Sequence, residues 1–201
     1  MDRWQYEKEA LAEGRALVCG CDEAGAGPLA GPVYAAAVIL PIGEDIPGLD
    51  DSKKLTEKKR EKLFPVIQEK ARAWSIAFVD AGEIDETDIL SARMKAMQLA
   101  IDGLAQAPDF ALIDGNRDRG RSASIVTPHR CVVKGDSLSA SIAAASVLAK
   151  VSRDRHMAEM ARQYPQYRFE QHKGYGTKLH YELLRAYGPS PIHRRTFLKN
   201  L

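Results

Sequence analysis

Four acidic residues stand where hydrophobic segments of the sequence end. Asp22 and Glu23 close the first such segment, Asp114 closes the fourth, and Asp136 lies between the fifth and a long alanine-rich stretch. One carboxylate at such a position is usually a cap or a solvated turn residue. Four indicate a shared site, and carboxylates that gather repel one another unless a cation compensates their charge. Oxygen ligands favour Mg²⁺ or Mn²⁺ over zinc, so the sequence predicts a site for one of these metals.

The chemistry expected of such a site is phosphodiester hydrolysis. Two divalent ions roughly 4 Å apart activate a water molecule and stabilise the leaving oxygen, so no nucleophilic serine or cysteine is needed. Neighbouring residues of a strand point to opposite faces, which places the side chains of Asp22 and Glu23 on different sides. We therefore expect the Asp22 carboxylate to be the central ligand. Glu23 is expected to contribute through its backbone carbonyl or after the strand has turned.

Strands must bring these carboxylates together, and the hydrophobic pattern predicts five strands and three longer helices. The predicted strands cover residues 17–21, 33–40, 74–79, 110–113 and 124–133. The predicted helices cover residues 56–73, about 88–107 and about 137–164. Pro65 is expected to bend or divide the first helix, and small side chains in the last indicate close packing on a sheet. The order predicts an α/β fold with a mixed five-stranded sheet flanked by helices.

Length and composition set the remaining expectations. A chain of 201 residues with 45% hydrophobic content predicts a single domain over residues 1–201, with a small helical C-terminal part from about residue 165. The formal net charge of +2 does not by itself indicate a nucleic-acid binder. Three cysteines fit neither a disulfide framework nor a zinc site. Without a signal peptide or membrane span, we expect a soluble, cytoplasmic monomer.

The predicted core includes Trp74, Met94 and Met97. No chemistry is assigned to His129 and His156.

A glycine-rich loop follows the first pair of carboxylates. The segment Gly25-Ala26-Gly27 lacks the third glycine of a dinucleotide-binding turn, and Pro28 and Pro32 oppose the helix that such a turn opens. Glycines here permit a close approach of the backbone to a ligand. The loop is therefore a candidate binding segment beside the carboxylates.

Motifs along nearly the whole chain, from about residue 16 to 198, resemble those of the ribonuclease HII family. The first is CDEAGAGPLAGPV over residues 21–33. The others are DSKKL at 51–55, LIDG at 112–115, VKGDS at 133–137, AAAS at 143–146, AKV at 149–151, HKGYGT at 172–177 and HR at 193–194. Their number and order make the resemblance highly specific.

The resemblance implies a ribonuclease H-like fold with Asp22, Glu23, Asp114 and Asp136 as active-site residues. It implies a substrate, which is the RNA strand of RNA/DNA hybrids and ribonucleotides embedded in duplex DNA. We expect hydrolysis on the 5′ side of the ribonucleotide, leaving a 3′-hydroxyl and a 5′-phosphate, because an activated water attacks in place of the 2′-hydroxyl. Ala26 departs from the family, which usually has arginine there. Backbone groups of the loop remain available for phosphate or for the 2′-hydroxyl.

The resemblance also implies nucleic-acid contacts outside the carboxylates. The predicted contact residues are Gly25, Ala26, Gly27, Ser52, Lys53, Lys54, Lys150, Lys173 and Tyr175. Ser52 is expected to cap the following helix or to hydrogen-bond a phosphate, and the two roles are compatible. For Lys150 and Arg153 a purely structural role, with a local ion pair between Arg153 and Asp154, is an open alternative. Tyr175, framed by glycines, is expected to pack against the sugar beside the cleaved bond.

Two other functions stay open at this point. A junction resolvase of the same fold class would share the acidic residues but would not need the Tyr175 motif. A catalytically weak hybrid-binding protein is conceivable because Ala26 replaces the arginine. All four acidic residues are present, and this favours an enzyme.

Overall fold

Five strands and eight α-helices form the described part of the chain, residues 2–198 of a computed structural model. The strands are β1 (Val18–Ala24), β2 (Val33–Ile39), β3 (Ala73–Val79), β4 (Phe110–Asp114) and β5 (His129–Val132). The helices are α1 (Gln5–Ala12), α2 (Glu57–Lys70), α3 (Ala81–Glu86), α4 (Ile89–Asp102), α5 (Gly135–Leu138), α6 (Ala140–Gln163), α7 (Phe169–His172) and α8 (Lys178–Tyr187). The last two helices lie in the predicted helical C-terminal part.

The strands form one mixed sheet in the order β3-β2-β1-β4-β5. β2 pairs antiparallel with β1 and β3, whereas β1, β4 and β5 run parallel to one another. The predicted mixed five-stranded sheet is therefore confirmed. β1, β4 and β5 are parallel, so their C-terminal ends lie close together at one end of the sheet. The predicted carboxylates lie at this end.

Helices cover both faces of the sheet. α4 packs on one face, where Cys19, Cys21, Met94 and Met97 are fully or almost fully buried. α6 packs on the other face against β1 and β2, and α2 packs against α6. The predicted core positions Met94 and Met97 are confirmed, and the cysteines at 19 and 21 are buried free thiols.

Gly20 lets α6 approach the centre of the sheet closely. A Cβ atom at this position would lie 2.2 Å from the carbonyl carbon of Ser141 and 2.3 Å from the nitrogen of Ile142. Real Cβ atoms do not approach backbone atoms this closely, so any larger side chain would push the helix off the strand. The close packing predicted from the small residues of α6 thus depends on a glycine in the facing strand.

Three expectations about local structure are wrong in whole or in part. α2 runs unbroken through Pro65, so this residue does not divide the helix, while a bend at Pro65 stays a prediction. Trp74 is 38% exposed, because β3 is an edge strand and this residue lies near its start. β5 begins only at His129, because the preceding segment is held by α4: the backbone nitrogen of Val126 donates to the side-chain oxygen of Gln98 over 2.8 Å.

The sequence pattern did not predict two of the helices, α1 and α3. α1 is held by Glu7, whose buried carboxylate accepts hydrogen bonds from the Ser139 hydroxyl at 2.6 Å and the Ser141 nitrogen at 3.1 Å. α1 thus docks on the start of α6. The expected single domain over residues 1–201 stays a prediction, and residues 1 and 199–201 lie outside the described part. Within residues 2–198, no helix combines the length and hydropathy needed to cross a membrane.

Candidate active site

Three of the four predicted carboxylates lie together at the C-terminal ends of the parallel strands. Asp22 and Asp114 each stand one residue beyond the paired residues Cys21 and Ile113 of β1 and β4. Asp136 lies in the short helix α5, which follows β5 after one intervening turn. One carboxylate oxygen from each of the three lies within 4.8 Å of the others. Strand register and a short connection therefore produce the cluster.

The electrostatics of this cluster favour a bound cation. Burial raises the pKa of Asp22 well above its ordinary value, and the charges of Glu23 and Asp114 raise it further. Burial also raises the pKa of Asp114, and the charge of Asp136 adds to the effect. A divalent cation would relieve this repulsion and would find three oxygen ligands converging on it. Within residues 2–198, no other group of three or more acidic, histidine or cysteine side chains converges in this way. The residues present thus fit a hard divalent metal.

Glu23 points to the opposite face of β1. Its carboxylate forms an ion pair of 2.6 Å with Arg93 of α4, whereas Asp22 lies beside Ser146 of α6. Burial raises the pKa of Glu23, and Arg93 opposes that shift. β1 continues to Ala24, so the strand has not turned at Glu23. The expected divergence of the two side chains is therefore present, and a metal contact by Glu23 stays a prediction.

The segment before α2 contacts the carboxylates directly. Lys53 places its amino group 3.0 Å from a carboxylate oxygen of Asp136, although its side chain is 75% exposed. Burial alone would lower the pKa of Lys53, but the hydrogen bond and charge of Asp136 raise it. Lys54 lies 3.2 Å from the hydroxyl of Ser137 and is also exposed. Both lysines thus lie beside the cluster with part of the side chain open to a ligand.

Ser52 occupies a different place from the one expected. Its hydroxyl is 2.7 Å from that of Ser146, a residue beside Asp22 that lowers the pKa of its carboxyl. Thr56, not Ser52, caps α2, because the helix begins only at Glu57. Ser52 is 4% exposed, which argues against the predicted phosphate contact. Ser52 therefore lies behind Ser146, on the inner side of the carboxylate cluster.

Two buried arginines hold the glycine loop. Arg194 donates to the backbone carbonyls of Gly25, Ala26 and Gly31 at 2.6–2.9 Å. Gly25 has a φ of +97°, and a Cβ atom there would lie 2.0 Å from the side chain of Arg153. Glycine is therefore required at this position, whereas Gly27 is exposed. The arginines fix the path of the loop from inside the protein.

The Tyr175 segment is tied to the same loop. Arg153 donates to the carbonyls of Ala30, Pro32 and Lys173 at 3.0–3.1 Å. The nitrogen of Leu29 donates to the carbonyl of Gly174 at 2.8 Å. Tyr175 itself is 42% exposed. The two segments predicted to contact nucleic acid are therefore joined into one structure, with the tyrosine ring at its surface.

Other predicted contacts take part in ion pairs. Lys150 lies 2.6 Å from Asp154, and Lys173 lies 3.9 Å from Glu57. The local pair considered for Arg153 is wrong: this residue binds carbonyl groups, and Asp154 pairs with Lys150 and with Arg60. Contacts of the two lysines with nucleic acid stay predictions.

Sequence reasoning missed several residues of the site. Ser146 and Arg194 lie within recognised motifs, but no role follows from a motif without the contacts. Arg93 carried no signal, because a lone arginine on an amphipathic helix usually lies on the solvated face. The contacts of Arg153 with the loop were missed because full burial of an arginine is rare and is not visible in a pattern of charges.

The fold and site together define a metal-dependent nuclease of the ribonuclease H-like class. Among solved structures, ribonuclease H2 of Pyrococcus horikoshii OT3 superimposes with a TM-score of 0.73 at 26% identity, covering 90% of this chain and 93% of that chain. The family model for ribonuclease HII matches residues 19–200. The chain therefore belongs to the ribonuclease HII family and is a ribonuclease H.

Curated relatives agree with this assignment. The chain is 51% identical to a ribonuclease HII of Caldicellulosiruptor bescii over 198 residues, which cover 98% of this chain and 94% of the relative. It is 54% identical to a ribonuclease HII of Acetivibrio thermocellus over 195 residues, which cover 97% and 75% of the two chains. Family membership disfavours the junction-resolvase alternative.

Proposed function

We propose that this ribonuclease H hydrolyses the RNA strand of RNA/DNA hybrids and cuts duplex DNA on the 5′ side of embedded ribonucleotides, leaving a 3′-hydroxyl and a 5′-phosphate. The observation that carries the proposal is the convergence of the three carboxylates, one of which, Asp22, lies three residues before Gly25 of the glycine loop. A monomeric state and a cytoplasmic location are part of the proposal.

The carboxylates would hold the metal ions required for the reaction. Asp22, Asp114 and Asp136 would supply the oxygen ligands, and Ser146 lies beside Asp22. Glu23 would add its backbone carbonyl. When bound, Mg²⁺ or Mn²⁺ supplies Lewis acidity and lowers the pKa of water. Lys53, held at Asp136, places a positive charge where the phosphate must approach.

Recognition of ribose is assigned to the loop and to Tyr175. Backbone atoms of residues 25–27 would meet the phosphate or the 2′-hydroxyl, the group that separates RNA from DNA. The ring of Tyr175 would pack on the adjacent sugar. Arg153 and Arg194 do not touch the substrate in this scheme, because both are fully buried and only hold the loop and the Tyr175 segment in place.

The proposal is tested with an end-labelled DNA duplex that contains one ribonucleotide, next to an all-DNA duplex of the same sequence. We expect one cut, 5′ of the ribonucleotide, in Mg²⁺ or Mn²⁺ and none in EDTA. A 2′,3′-cyclic phosphate product would show that the 2′-hydroxyl attacks and would refute the mechanism. Binding of the duplex without cleavage in either metal would support the weak hybrid-binding alternative.

Replacement of the carboxylates tests the site itself. Asp22→Asn, Asp114→Asn and Asp136→Asn each remove one metal-binding charge, and each is expected to lower the cleavage rate by on the order of 100-fold or more. Asp45→Asn, in the exposed loop after β2, removes the same charge elsewhere and serves as the matched control. Near-normal turnover of any of the three variants would remove that residue from the site.

A further inference from the structure

Three buried histidines lie behind the exposed ring of Tyr175. His172, His180 and His193 are 6%, 0% and 2% exposed. The rings of His172 and His180 stack with centroids 4.2 Å apart, and those of His180 and His193 lie 5.2 Å apart. None of the three belongs to the carboxylate cluster, and the proposed reaction does not use them.

Hydrogen bonds fix the tautomer of His193 and His180. The backbone nitrogen of Ser190 donates to Nδ1 of His193 over 2.9 Å, and a backbone N–H can only donate. Nδ1 of His193 is therefore an acceptor, and in the neutral ring Nε2 carries the hydrogen. Nε2 of His193 lies 3.0 Å from Nε2 of His180, so it donates to that atom. His180 must then carry its own hydrogen on Nδ1.

The chain of donors ends on the backbone of Tyr175. Nδ1 of His180 lies 2.9 Å from the carbonyl oxygen of Tyr175 and donates to it. The nitrogen of Thr177 donates to the same oxygen at 2.8 Å. A second proton on His180 would place two N–H groups face to face at 3.0 Å, so this arrangement requires both rings to be neutral.

His172 completes the support from the other side. Its Nδ1 accepts from the nitrogen of Gly174 at 3.2 Å, and its Nε2 lies 2.9 Å from the carbonyl of Tyr167. The same argument makes Nε2 the protonated nitrogen. Because Tyr175 is flanked by Gly174 and Gly176, the backbone on either side is intrinsically flexible, and such external bonds are needed to hold it.

We infer that His193 and His180 are positioning residues, which hold the backbone of Tyr175 through a directed chain of hydrogen bonds and so orient its ring toward the sugar of the substrate. The inference rests on the proposed role of Tyr175. It predicts that loss of the His193 donor frees His180 to change tautomer, which removes the hydrogen bond to the Tyr175 carbonyl without touching the carboxylates.

The first test is the protonation of the imidazoles, measured by NMR on protein labelled with ¹⁵N-histidine. At neutral pH we expect His180 to carry its hydrogen on Nδ1 and His193 on Nε2, with both rings neutral. A hydrogen on Nε2 of His180, or a charged ring at either position, would overturn the inference. This measurement needs no variant and no substrate.

The second test compares His193→Phe with His193→Gln. Phenylalanine removes the donor, whereas the glutamine amide can place an N–H near the former Nε2 position. Loss of one such bond should lower kcat/KM for the single-ribonucleotide duplex by roughly 10-fold. His193→Gln should restore most of this loss and should keep the His180 tautomer. Equal losses in both variants, at unchanged His180 tautomer, would contradict the inference.

A double-mutant cycle with Tyr175→Ala separates this inference from the proposed function. If the histidines act through Tyr175, His193→Phe should cost activity in the parent protein and little in the Tyr175→Ala protein. Equal costs in both backgrounds would show a general effect on the fold and overturn the inference alone. No loss from Tyr175→Ala would overturn the role of Tyr175 and the inference together, while cleavage by the carboxylate site would stand. His193→Leu replaces His193→Phe if the latter does not fold.

Discussion

Removal of one active-site carboxylate is expected to stabilise the metal-free protein. Asp114→Asn is the clearest perturbation, because burial and the neighbouring charge of Asp136 raise the pKa of Asp114. An asparagine oxygen can keep the hydrogen bond that Asp114 accepts from the nitrogen of Asp136 at 3.3 Å. The variant thus removes the repelled charge and retains the geometry.

The size of the effect follows from the spacing of the carboxylates. At 4.8 Å, the upper limit of the separations, and an effective dielectric constant of about 20, two full negative charges repel by about 3.5 kcal/mol, and closer charges repel more. Partial protonation relieves part of this repulsion, and so does Lys53 at Asp136. We therefore expect the free energy of unfolding to rise by about 1 to 3 kcal/mol, which corresponds to a Tm increase of roughly 2 to 10 °C for a chain of this size.

Thermal unfolding of the parent protein, Asp114→Asn and the control Asp45→Asn measures the effect, first in EDTA and then with Mg²⁺. The variant should be the most stable of the three in EDTA. Mg²⁺ should raise the Tm of the parent protein and of the control clearly, and that of Asp114→Asn much less, because the cation and the substitution relieve the same repulsion.

Two outcomes would refute this reasoning. The first is an Asp114→Asn protein that is correctly folded but no more stable in EDTA than the parent. The second is an equal rise of Tm with Mg²⁺ in the parent and the variant. Either would mean that the three carboxylates do not store repulsive energy that a cation relieves.

Three further predictions concern the loop, the core and the buried histidines. Ala26→Arg should steepen the slope of log affinity against log salt by about one unit, with less change in ribose selectivity; binding titrations across salt measure this. Gly20→Ala should lower the free energy of unfolding by roughly 3 kcal/mol or more, and Gly27→Ala is the control in urea denaturation. Burial lowers the pKa values of His180 and His193 to about 4, so stability should fall by about 3 kcal/mol per histidine as pH falls from about 6.5 to 4; His193→Gln should flatten this decline.

The sign of the pH effect follows from where the protons bind. The unfolded chain takes up protons on these histidines near pH 6.5, whereas the folded protein resists protonation because burial, the neighbouring His172 and, for His193, Arg195 oppose a positive charge. The unfolded state therefore gains protons first as the pH falls. A stability that stays constant between pH 6.5 and 4, or a variant that declines as steeply as the parent, would contradict the prediction.

The carboxylate cluster was predictable because strand ends are visible in the sequence. Asp22 and Asp114 each follow a run of buried residues, and parallel pairing of β1 and β4 brings such ends together. The alternation rule also placed Glu23 on the other face of the sheet, where the structure shows its ion pair with Arg93. What a periodic pattern cannot show is the partner across the fold, and Arg93 lies about 70 residues away in the chain.

Local patterns also failed where tertiary contacts override them. The segment 124–128 has strand-like residues, but hydrogen bonds from the backbone nitrogens of Val126 and Thr127 to Gln98 hold it against α4. Ser52 has the residue type of a helix cap, yet Thr56 stands directly before α2 and Ser52 turns inward to Ser146. In both cases the competing partner comes from an element that is distant in the sequence.

α6 joins the cutting site to the proposed ribose-binding surface. Ser146 lies beside Asp22 in the first half of this helix, and Arg153 binds the glycine loop and the Tyr175 segment seven residues later. Seven residues of α-helix span about 10 Å, a rigid spacing that does not depend on the flexible glycines themselves. The bond that is cut and the sugar that is recognised are then held at a fixed separation by one element. On this argument the arginine absent at position 26 affects how tightly the substrate binds. The position of the cut relative to the ribonucleotide is set by α6 and the buried Arg153.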